Sequence, residues 1–422
     1  MKTFLIHTLG CKVNAFESEY FRQQLLDAGY QEGLPKEKTD VVIINTCTVT
    51  NTASFKSRQK IAQAKRTNPD AFVVVVGCYV QTHHGFLKDK FDIDLLIGAK
   101  DKDRFIELLD TKHDHIDFNY PETFENLPIQ SFKHQKKAYV KIQDGCNQFC
   151  TYCIIPFARG RERSMALEKI IDQINALEQH LEITLTGIHT GRYGLDIGTN
   201  FVTLLKRILT ETSIPRIRIS SIEITEVHDE IIEILRNEPR LVKHLHIPIQ
   251  AASDSVLEDM HRPYSLDTFT KRLQTIREQI PGILISTDLI VGFPTETKDD
   301  FEKSLNHLEA MNLSFMHIFP YSKREGTKAS LYLTEWSKEV KKERVRQAQA
   351  LSDRMHRKTM EAYIDQDLEV LLEEVQNGLC FGYSSEYLPV LVLDGHHLLN
   401  QRILCRVIEV RNDHLIAERV LI

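Results

Sequence analysis

Short runs of valine and isoleucine, separated by segments with helical spacing, recur through the first three quarters of this chain. Continuous apolar runs of this length are typical of strands that are buried on both faces, as in a parallel sheet covered by helices. In residues 1–125 the strand candidates are Lys2–Thr8, Val41–Asn45 and Phe72–Gly77, and helical patterns lie near Glu17–Ala28 and Ala53–Arg66. The chain is therefore predicted to open with a parallel α/β sheet.

Six further strand candidates follow between about Ala138 and Ser322: AYVKIQ, EITLTG, RIRISS, HLHIPIQ, ISTDLIVG and FMHIFPYS. Repeated βα units predict a barrel or part of one. A charged stretch from Glu335 to about Tyr363 predicts a long helix, and after Ile364 the sequence changes to short alternating runs, typical of a small antiparallel β-barrel. The polar segment that ends at KHQKK is interpreted as a linker between the first two regions.

Composition limits the location and the partners of the chain. The length of 422 residues favours two or three domains, and the net charge of −6 means that an RNA would have to bind at local basic patches. The N-terminal apolar run is too short for a signal peptide, and no apolar stretch approaches the roughly 20 residues of a membrane span. We expect a cytoplasmic protein, in which the eight cysteines are metal ligands or catalytic groups rather than disulfides.

Cys146, Cys150 and Cys153 form C-x3-C-x2-C directly after a predicted strand. Three thiolates in one loop can hold one face of a four-iron cluster and leave the fourth iron without a protein ligand. The alternatives are coincidence or a zinc site, but zinc requires a fourth ligand at short range, and His134 and His189 are poorly spaced for it. The spacing favours the cluster.

Cys11, Cys47 and Cys78 each lie just beyond the end of a predicted strand of the first sheet. Ligands bind at the carboxyl edge of such sheets, where neighbouring strands are about 4.8 Å apart. Any one of these cysteines is more easily explained as a small buried residue, but three at equivalent positions favour a second cluster with one open iron. Cys380 and Cys405, far apart in the last region, are predicted to be apolar core residues.

The segment DGCNQFCTYCIIPFARGRERS resembles the radical S-adenosylmethionine (SAM) motif of the methylthiotransferases. TLGCKVN, NTCTVT and VVGCYVQ resemble the three cysteine motifs of that family's N-terminal domain. The resemblance continues through LTGIHTGRYGLD, RIRISSIE, HLHIPIQAASDSVLEDMHRPY, TDLIVGFPTET and FPYSKREGT, and so covers almost the whole chain. It departs at HIPIQAASD, where family members usually have a glycine and a serine after the glutamine. On these motifs the chain is identified as a member of the radical SAM methylthiotransferases.

This resemblance implies an α/β protein with three domains. The first is a methylthiotransferase N-terminal domain over residues 1–125, an open parallel α/β sheet that holds an auxiliary cluster. The second is a radical SAM domain over residues 132–357, built as a partial (β/α)6 barrel. The third is a TRAM-like RNA-binding domain over residues 358–422, a small antiparallel β-barrel.

The resemblance also implies two [4Fe-4S] clusters and SAM as cofactors. Cys146, Cys150 and Cys153 would hold the cluster that binds SAM, and Cys11, Cys47 and Cys78 the auxiliary cluster that binds the transferred sulfur. No conventional acid–base residue is expected, because the clusters and SAM carry the chemistry. The residues expected to contact SAM are Tyr152, Thr186, Gly187, Ser221, Glu223, Gln250, Val291 and Gly292.

Within the family, TLGCKVN and NTCTVTNTASFKSR resemble the branch that attaches a methylthio group to carbon 2 of N(6)-threonylcarbamoyladenosine at tRNA position 37. The implied substrates are the anticodon loops of ANN-decoding tRNAs. The alternatives are an isopentenyladenosine tRNA, an aspartate of a ribosomal protein, or a non-enzymatic RNA-binding protein stabilised by zinc or a cluster.

The expected partners are an electron donor such as flavodoxin or ferredoxin and a sulfur source, without a membrane, and the expected oligomeric state is a monomer. We expect Arg159, Arg161 and Arg163, beside the cluster loop, to contact RNA. Other basic segments are residues 56–66, residues 133–137 and the helix from Lys338.

Overall fold

The structure is a computed structural model that describes residues 2–34, 37–119, 123–132, 136–376, 378–393 and 395–420. It has the α/β architecture predicted from the sequence: two regions of parallel sheet with helices, followed by a β-barrel. Within the described residues, no helix combines the length and the apolar character that crossing a membrane requires.

The N-terminal region is a five-stranded parallel sheet in the order β2-β1-β3-β4-β5. Its elements are β1 (Thr3–Thr8), α1 (Lys12–Asp27), β2 (Gln31–Glu32), β3 (Val41–Thr46), α2 (Asn51–Thr67), β4 (Phe72–Gly77), α3 (Cys78–Lys90), β5 (Leu95–Ile97) and α4 (Phe105–Thr111). Every residue of β3 is buried, as its continuous apolar run predicted. In this strand order ligands bind beyond the carboxyl ends of β1 and β3, where the winding of the chain reverses.

The central region contains six parallel strands. Its elements are β6 (Lys137–Lys141), β7 (Gln143–Asp144), α5 (Ile155–Arg159), β8 (Arg163–Ser164), α6 (Leu167–Ala176), β9 (Glu182–Thr186), α7 (Phe201–Glu211), β10 (Ile217–Ile219), α8 (Asp229–Asn237), β11 (His244–His246), α9 (Asp254–Asp259), α10 (Leu266–Gln279), β12 (Leu284–Val291), α11 (Lys298–Ala310), β13 (Phe315–Pro320) and α12 (Lys338–Glu361).

Strands β6, β9 and β10 form one three-stranded sheet, and β11, β12 and β13 form another. Isolated parallel bridges, Ile217 with Leu241 and Ser221 with His246, join the two sheets at β10 and β11. The six strands therefore follow one another in space in the order of the chain, and their carboxyl ends share one side. The small hairpin of β7 and β8 is antiparallel, and β7 begins two residues after β6 ends.

The segment predicted as a linker packs against the body of the protein. The described residues between α4 and β6 form no helix or ladder strand, but Leu127, Ile129 and Phe132 are buried in the main core. The side chain of Gln173 accepts a hydrogen bond from the Ile129 amide at 2.9 Å. The N-terminal and central regions are therefore in contact along this segment.

The C-terminal region is a closed five-stranded barrel in the order β14-β15-β16-β18-β17. Its strands are β14 (Asp367–Gln376), β15 (Leu379–Ser384), β16 (Pro389–Val392), β17 (Arg402–Arg411) and β18 (His414–Arg419). The prediction of an antiparallel barrel needs one correction, because β16 and β18 are parallel. A closed ring with an odd number of strands cannot alternate direction at every neighbour, so one pair has to be parallel. Cys380 and Cys405 are buried in this core, as predicted.

Buried arginines attach the barrel to the amino-terminal ends of the central strands. Arg216 and Arg218 both pair with the buried Glu182, the first residue of β9. The Arg218 guanidinium also donates to the carbonyls of Ser384, the last residue of β15, at 3.4 Å and of Ser385, in the turn that follows, at 3.3 Å. Although burial opposes ionisation, the two guanidinium groups lower the pKa of Glu182 to about 2.

This cluster predicts an acid-dependent loss of stability. Because the pKa of Glu182 is lower in the folded chain than in the unfolded chain, its contribution is complete above about pH 4.5 and is lost as the pH falls toward 2. Glu182→Gln leaves two buried guanidinium groups without their carboxylate, so we expect about 3 kcal/mol of destabilisation at pH 7 and a smaller difference at pH 3. Urea unfolding of metal-free protein, followed by circular dichroism, measures this difference. Glu168→Gln, on the exposed surface of α6, is the control, and equal losses at both pH values would contradict the assignment.

Candidate metal and cofactor site

The loop after β7 brings Cys146, Cys150 and Cys153 to one cavity of about 340 Å³. The loop turns at Gly145, which has a φ of +73°, and a Cβ there would lie 1.9 Å from the carbonyl oxygen of Arg161. Only glycine therefore allows the two strands of the hairpin to pass so closely. The Cys146 amide donates to the Gly160 carbonyl at 3.0 Å, and the Cys153 amide to the Cys150 carbonyl at 3.0 Å, which closes the loop.

Two cationic side chains contact the sulfurs of this loop. The Arg262 guanidinium donates to Cys150 Sγ at 3.3 Å, and His189 Nδ1 lies 3.5 Å from Cys146 Sγ. Although burial opposes protonation, contacts with Cys146, Glu162 and Glu226 raise the pKa of His189 to about 12. Positive charge beside these sulfurs stabilises thiolate ligands.

Burial acts on the cysteines in the opposite direction. It raises the pKa of Cys153 to about 12 and also raises the pKa of Cys150. A bound metal ion replaces the thiol proton and so compensates the desolvation of the thiolate. The donor set of three thiolates in one loop fits an iron–sulfur cluster with an open iron. Ligand atoms of Cys146, Glu162 and His189 also lie within 4.8 Å of one another, so a zinc ion is the competing occupant.

Four of the eight residues predicted to contact SAM line the same cavity: Tyr152, Ser221, Glu223 and Gln250. The other four do not line it. Thr186, Gly187, Val291 and Gly292 lie at the carboxyl ends of β9 and β12, where Thr186 and Val291 are buried. Gly292 has a φ of +71°, and a Cβ there would lie 2.6 Å from Lys341 Cγ. Gly187 packs on Gln143, so local backbone and packing constraints explain both glycines.

The sequence interpretation missed part of the cavity wall and considered His189 only as a ligand for zinc. Arg262, His189 and Asp288 line it, and so do Val49 and Thr50 from the loop that follows Cys47. Arg262 and His189 lie within the segments quoted for the family resemblance, but no spacing rule marks them as cysteine contacts. Only the fold brings Val49 to the radical SAM loop, because the two segments are about a hundred residues apart.

Cys11, Cys47 and Cys78 follow the neighbouring strands β1, β3 and β4. A Cβ on Gly10, whose φ is +104°, would lie 2.6 Å from Cys47 Cβ, so the first two cysteine loops are in contact. The Asn14 side chain joins them further by donating to the carbonyls of Leu9 at 2.8 Å and Thr46 at 3.0 Å. Burial, followed by the proximity of Cys78, raises the pKa of Cys47 to about 12.

The three arginines beside the cluster loop, Arg159, Arg161 and Arg163, differ in their exposure to solvent. Arg161 is exposed, and its guanidinium lies 4.5 Å from the ring centre of Phe149. The prediction that Arg159 and Arg163 contact RNA needs correction, because both side chains are buried. Arg163 donates to the carbonyls of Arg159 at 3.0 Å and Arg161 at 2.8 Å, which fixes the loop. Arg159 points inward, toward the N-terminal cysteines.

The other basic segments are distributed over the surface. Residues 56–66 lie on α2, where Arg58 donates to Tyr79 Oη at 2.9 Å. Helix α12 begins at Lys338. Residues 133–135, including His134, lie outside the described residues. No described contact selects one of these segments as an RNA site.

Comparison with known proteins defines the class of the protein. Residues 3–98 match Uncharacterized protein family UPF0004, and residues 140–308 match the Radical SAM superfamily. The fold is similar to that of the radical SAM methyltransferase TsrM from Kitasatospora setae, with a TM-score of 0.59 and 14% identity over 78% of this chain and 77% of that one. The protein is a radical SAM enzyme, a class that uses SAM and a [4Fe-4S] cluster.

Curated relatives define the family. The chain is 38% identical to the threonylcarbamoyladenosine tRNA methylthiotransferase MtaB of Bacillus subtilis, over 97% of this chain and 94% of the relative. It is 36% identical to MtaB of Aquifex aeolicus, over 89% and 94%. A tRNA-2-methylthio-N(6)-dimethylallyladenosine synthase of Acetivibrio thermocellus is 34% identical over 89% and 81%. The chain therefore belongs to the radical SAM methylthiotransferases.

The contact at Gly145 predicts that this position does not accept a side chain. In Gly145→Ala the new methyl group meets the backbone of Arg161, so we expect the loop to shift and about four iron atoms per chain to be lost after anaerobic reconstitution. Iron analysis and a SAM-cleavage assay measure the effect. Gly198→Ala is the control, since its φ of +74° is similar but a Cβ there meets nothing within 4 Å. Full iron content in Gly145→Ala would contradict this account of the loop.

Proposed function

We propose that this protein attaches a methylthio group to carbon 2 of N(6)-threonylcarbamoyladenosine at position 37 of ANN-decoding tRNAs. The observation that carries the proposal is the 38% identity with a threonylcarbamoyladenosine tRNA methylthiotransferase over almost the full length of both chains. The motifs around Cys11 and Cys47 resemble the same branch. The synthase that acts on dimethylallyladenosine is nearly as similar, so the substrate requires a direct test.

Cys146, Cys150 and Cys153 are proposed to hold the [4Fe-4S] cluster that binds SAM. When bound, the cluster and SAM supply a 5′-deoxyadenosyl radical, which can remove the unactivated hydrogen from carbon 2 of an adenine. The residues of the chain provide the surroundings: Arg262 contacts Cys150 Sγ and pairs with Glu223, and His189 contacts Cys146 Sγ. Tyr152, Ser221, Glu223 and Gln250 line the space available to SAM.

Cys11, Cys47 and Cys78 are proposed to hold a second [4Fe-4S] cluster that carries the sulfur. Their fit rests on the contact of the Gly10–Cys11 loop with Cys47 and on the common strand edge of all three. The loop from Cys47 continues to Val49 and Thr50, which line the cavity of the first site. The Asn51 amide also donates to Ser322 Oγ, across the two regions, at 3.3 Å. An adenosine in this cavity would therefore lie beside Cys146, Cys150 and Cys153 and against the loop that follows Cys47.

RNA contact is proposed for an exposed patch beside the cluster loop. The Phe149 ring lies 4.5 Å from the Arg161 guanidinium and 6.1 Å from the Phe157 ring, which it meets with edge-to-face geometry. Phe157 is 46% exposed. Aromatic and arginine planes are the surfaces on which unstacked bases of RNA loops stack.

The domain assignment supports the same function. We interpret the six parallel strands as the partial (β/α)6 barrel of a radical SAM domain and the C-terminal barrel as a TRAM-like RNA-binding domain. We propose a cytoplasmic monomer that receives electrons from a protein such as flavodoxin or ferredoxin and obtains sulfur from a separate source.

Paired cysteine variants test the two sites. After anaerobic reconstitution we expect about eight iron atoms per chain in the parent and about four in Cys150→Ala and in Cys47→Ala. Cys150→Ala abolishes reductive cleavage of SAM, whereas Cys47→Ala retains cleavage and loses sulfur insertion. Cys405→Ala, in the barrel core, is the matched control. One zinc per chain without SAM cleavage would favour the non-enzymatic RNA-binding protein.

Mass analysis of tRNA nucleosides identifies the substrate. Cells without the gene and without a paralogue are expected to lose the methylthio form of threonylcarbamoyladenosine and to keep that of isopentenyladenosine. The opposite loss identifies the isopentenyladenosine branch. Loss of neither, with a change in a ribosomal-protein aspartate, identifies the third branch.

The aromatic patch predicts separable effects on tRNA. Phe157→Ala removes a stacking surface, so we expect about tenfold weaker tRNA binding, equivalent to about 1.4 kcal/mol. Arg161→Ala is expected to weaken binding and to lower the salt dependence by about one phosphate contact. SAM cleavage without tRNA stays unchanged in both variants. Fluorescence anisotropy at several salt concentrations measures binding, and Arg207→Ala, on the exposed surface of α7, is the control. Unchanged tRNA affinity in both patch variants would place the interface elsewhere.

A further inference from the structure

A single buried guanidinium connects the two cysteine sets. Arg159, the last residue of α5, donates through Nε to Cys78 Sγ at 3.1 Å. Its Nη2 donates to Asn14 Oδ1 at 2.9 Å, and this same oxygen lies 3.7 Å from Cys11 Sγ. One side chain of the central region therefore reaches one proposed ligand of the second cluster directly and another through Asn14.

The same guanidinium is fixed to the radical SAM loop. Its Nη1 donates to both carboxylate oxygens of Asp144, at 3.2 and 3.1 Å. Asp144 Oδ1 in turn accepts the amide of Gly145 at 2.9 Å, next to Cys146. Arg159 also follows Cys153 by six residues, through α5. A displacement of either cysteine loop would therefore strain contacts made by this residue.

The surrounding ion pairs carry an excess of positive charge. Among the described residues, the buried network joins four cations and three carboxylates through contacts of at most 4.0 Å: Lys102, Lys141, Arg159 and Arg163 with Glu17, Glu125 and Asp144. Unbalanced buried charge is costly. An anionic group at Cys11, Cys47 and Cys78 would balance it, and an iron–sulfur cluster held by three thiolates is such a group.

A purely structural role explains only part of this geometry. Ion pairs of Arg159 with Glu17 and Asp144 would by themselves connect the two regions. They would not require Nε of Arg159 to be directed at Cys78 Sγ. Hydrogen bonds to ligand sulfurs and local net charge set the reduction potential of a cluster. The Nε contact therefore indicates an effect on the metal centre itself.

We propose that Arg159 is a positioning residue that raises the reduction potential of the cluster held by Cys11, Cys47 and Cys78 and fixes that cluster relative to the radical SAM loop. This inference rests on the proposed second cluster. The residue acts through Cys78 and Asn14 and does not contact the substrate.

The test isolates the second cluster in a Cys150→Ala background. Iron analysis of this parent comes first, and about four iron atoms per chain establish the second cluster. Absence of iron contradicts the proposed second cluster and the role of Arg159 with it, whereas a cluster whose potential does not respond to Arg159 contradicts the role of Arg159 alone. Arg159→Lys and Arg159→Gln are then added, and the midpoint potential is measured by redox titration with electron paramagnetic resonance. Arg344→Gln, which removes a buried arginine paired with Glu296 in the central region, is the control.

We expect Arg159→Gln to lower the ratio of reduced to oxidised cluster at least tenfold at a fixed potential, equivalent to about 59 mV for a one-electron couple. Arg159→Lys keeps the positive charge but loses the planar guanidinium group, so we expect a smaller shift of the midpoint potential. Arg344→Gln leaves the potential unchanged. The proposal is also supported if the Arg159 variants lose the second cluster in the Cys150→Ala background but keep the radical SAM cluster in a Cys47→Ala background. An unchanged potential, or loss of both clusters together, overturns it.

Discussion

Two sets of parallel strands end at one interface, and the candidate site depends on this orientation. The carboxyl ends of β1, β3 and β4 carry Cys11, Cys47 and Cys78, and the loop beyond β6 and β7 carries the second set. Parallel strands in one sheet necessarily end on the same side, so Cys11, Cys47 and Cys78 are gathered by topology, whereas Cys146, Cys150 and Cys153 share one loop. The Asn51 amide donates a hydrogen bond to Ser322 Oγ across these two edges.

Close backbone approach is the second requirement of this interface. Gly10 and Gly145 have positive φ values, and at each a Cβ would collide with a cysteine or with the neighbouring strand. Glycine therefore occupies the positions where the loops are in contact. Buried ion pairs then fix the positions of these loops relative to each other. Arg159 pairs with Glu17 across the two regions and with Asp144 beside the radical SAM loop. Arg218 and Glu182 form another buried ion pair at the opposite end of the central strands.

Much of this arrangement could be predicted from the sequence, because it depends on periodicity and spacing. Continuous apolar runs identified β1, β3 and β4, and the positions of the cysteines after them identified the strand edge. Strand β2, with two residues, was missed because so short a run has no periodicity. The direction of Arg159 could not be predicted either, since a basic motif has the same sequence whether its side chains face RNA or a buried sulfur. The position of Val49 in the cavity wall could be found only from the fold, because the other residues of this wall are distant from it in sequence.

The attachment of the C-terminal barrel has a geometric consequence. The barrel is fixed at the amino-terminal ends of β9 and β10 through Arg216 and Arg218, whereas the cavity lies beyond the carboxyl ends of the same strands. A strand of five residues, the length of β9, spans about 16 Å. An RNA that contacted both the barrel and the cavity would have to span at least this distance. A nucleotide in the cavity would then be selected by its position along the RNA as well as by the chemistry of its base.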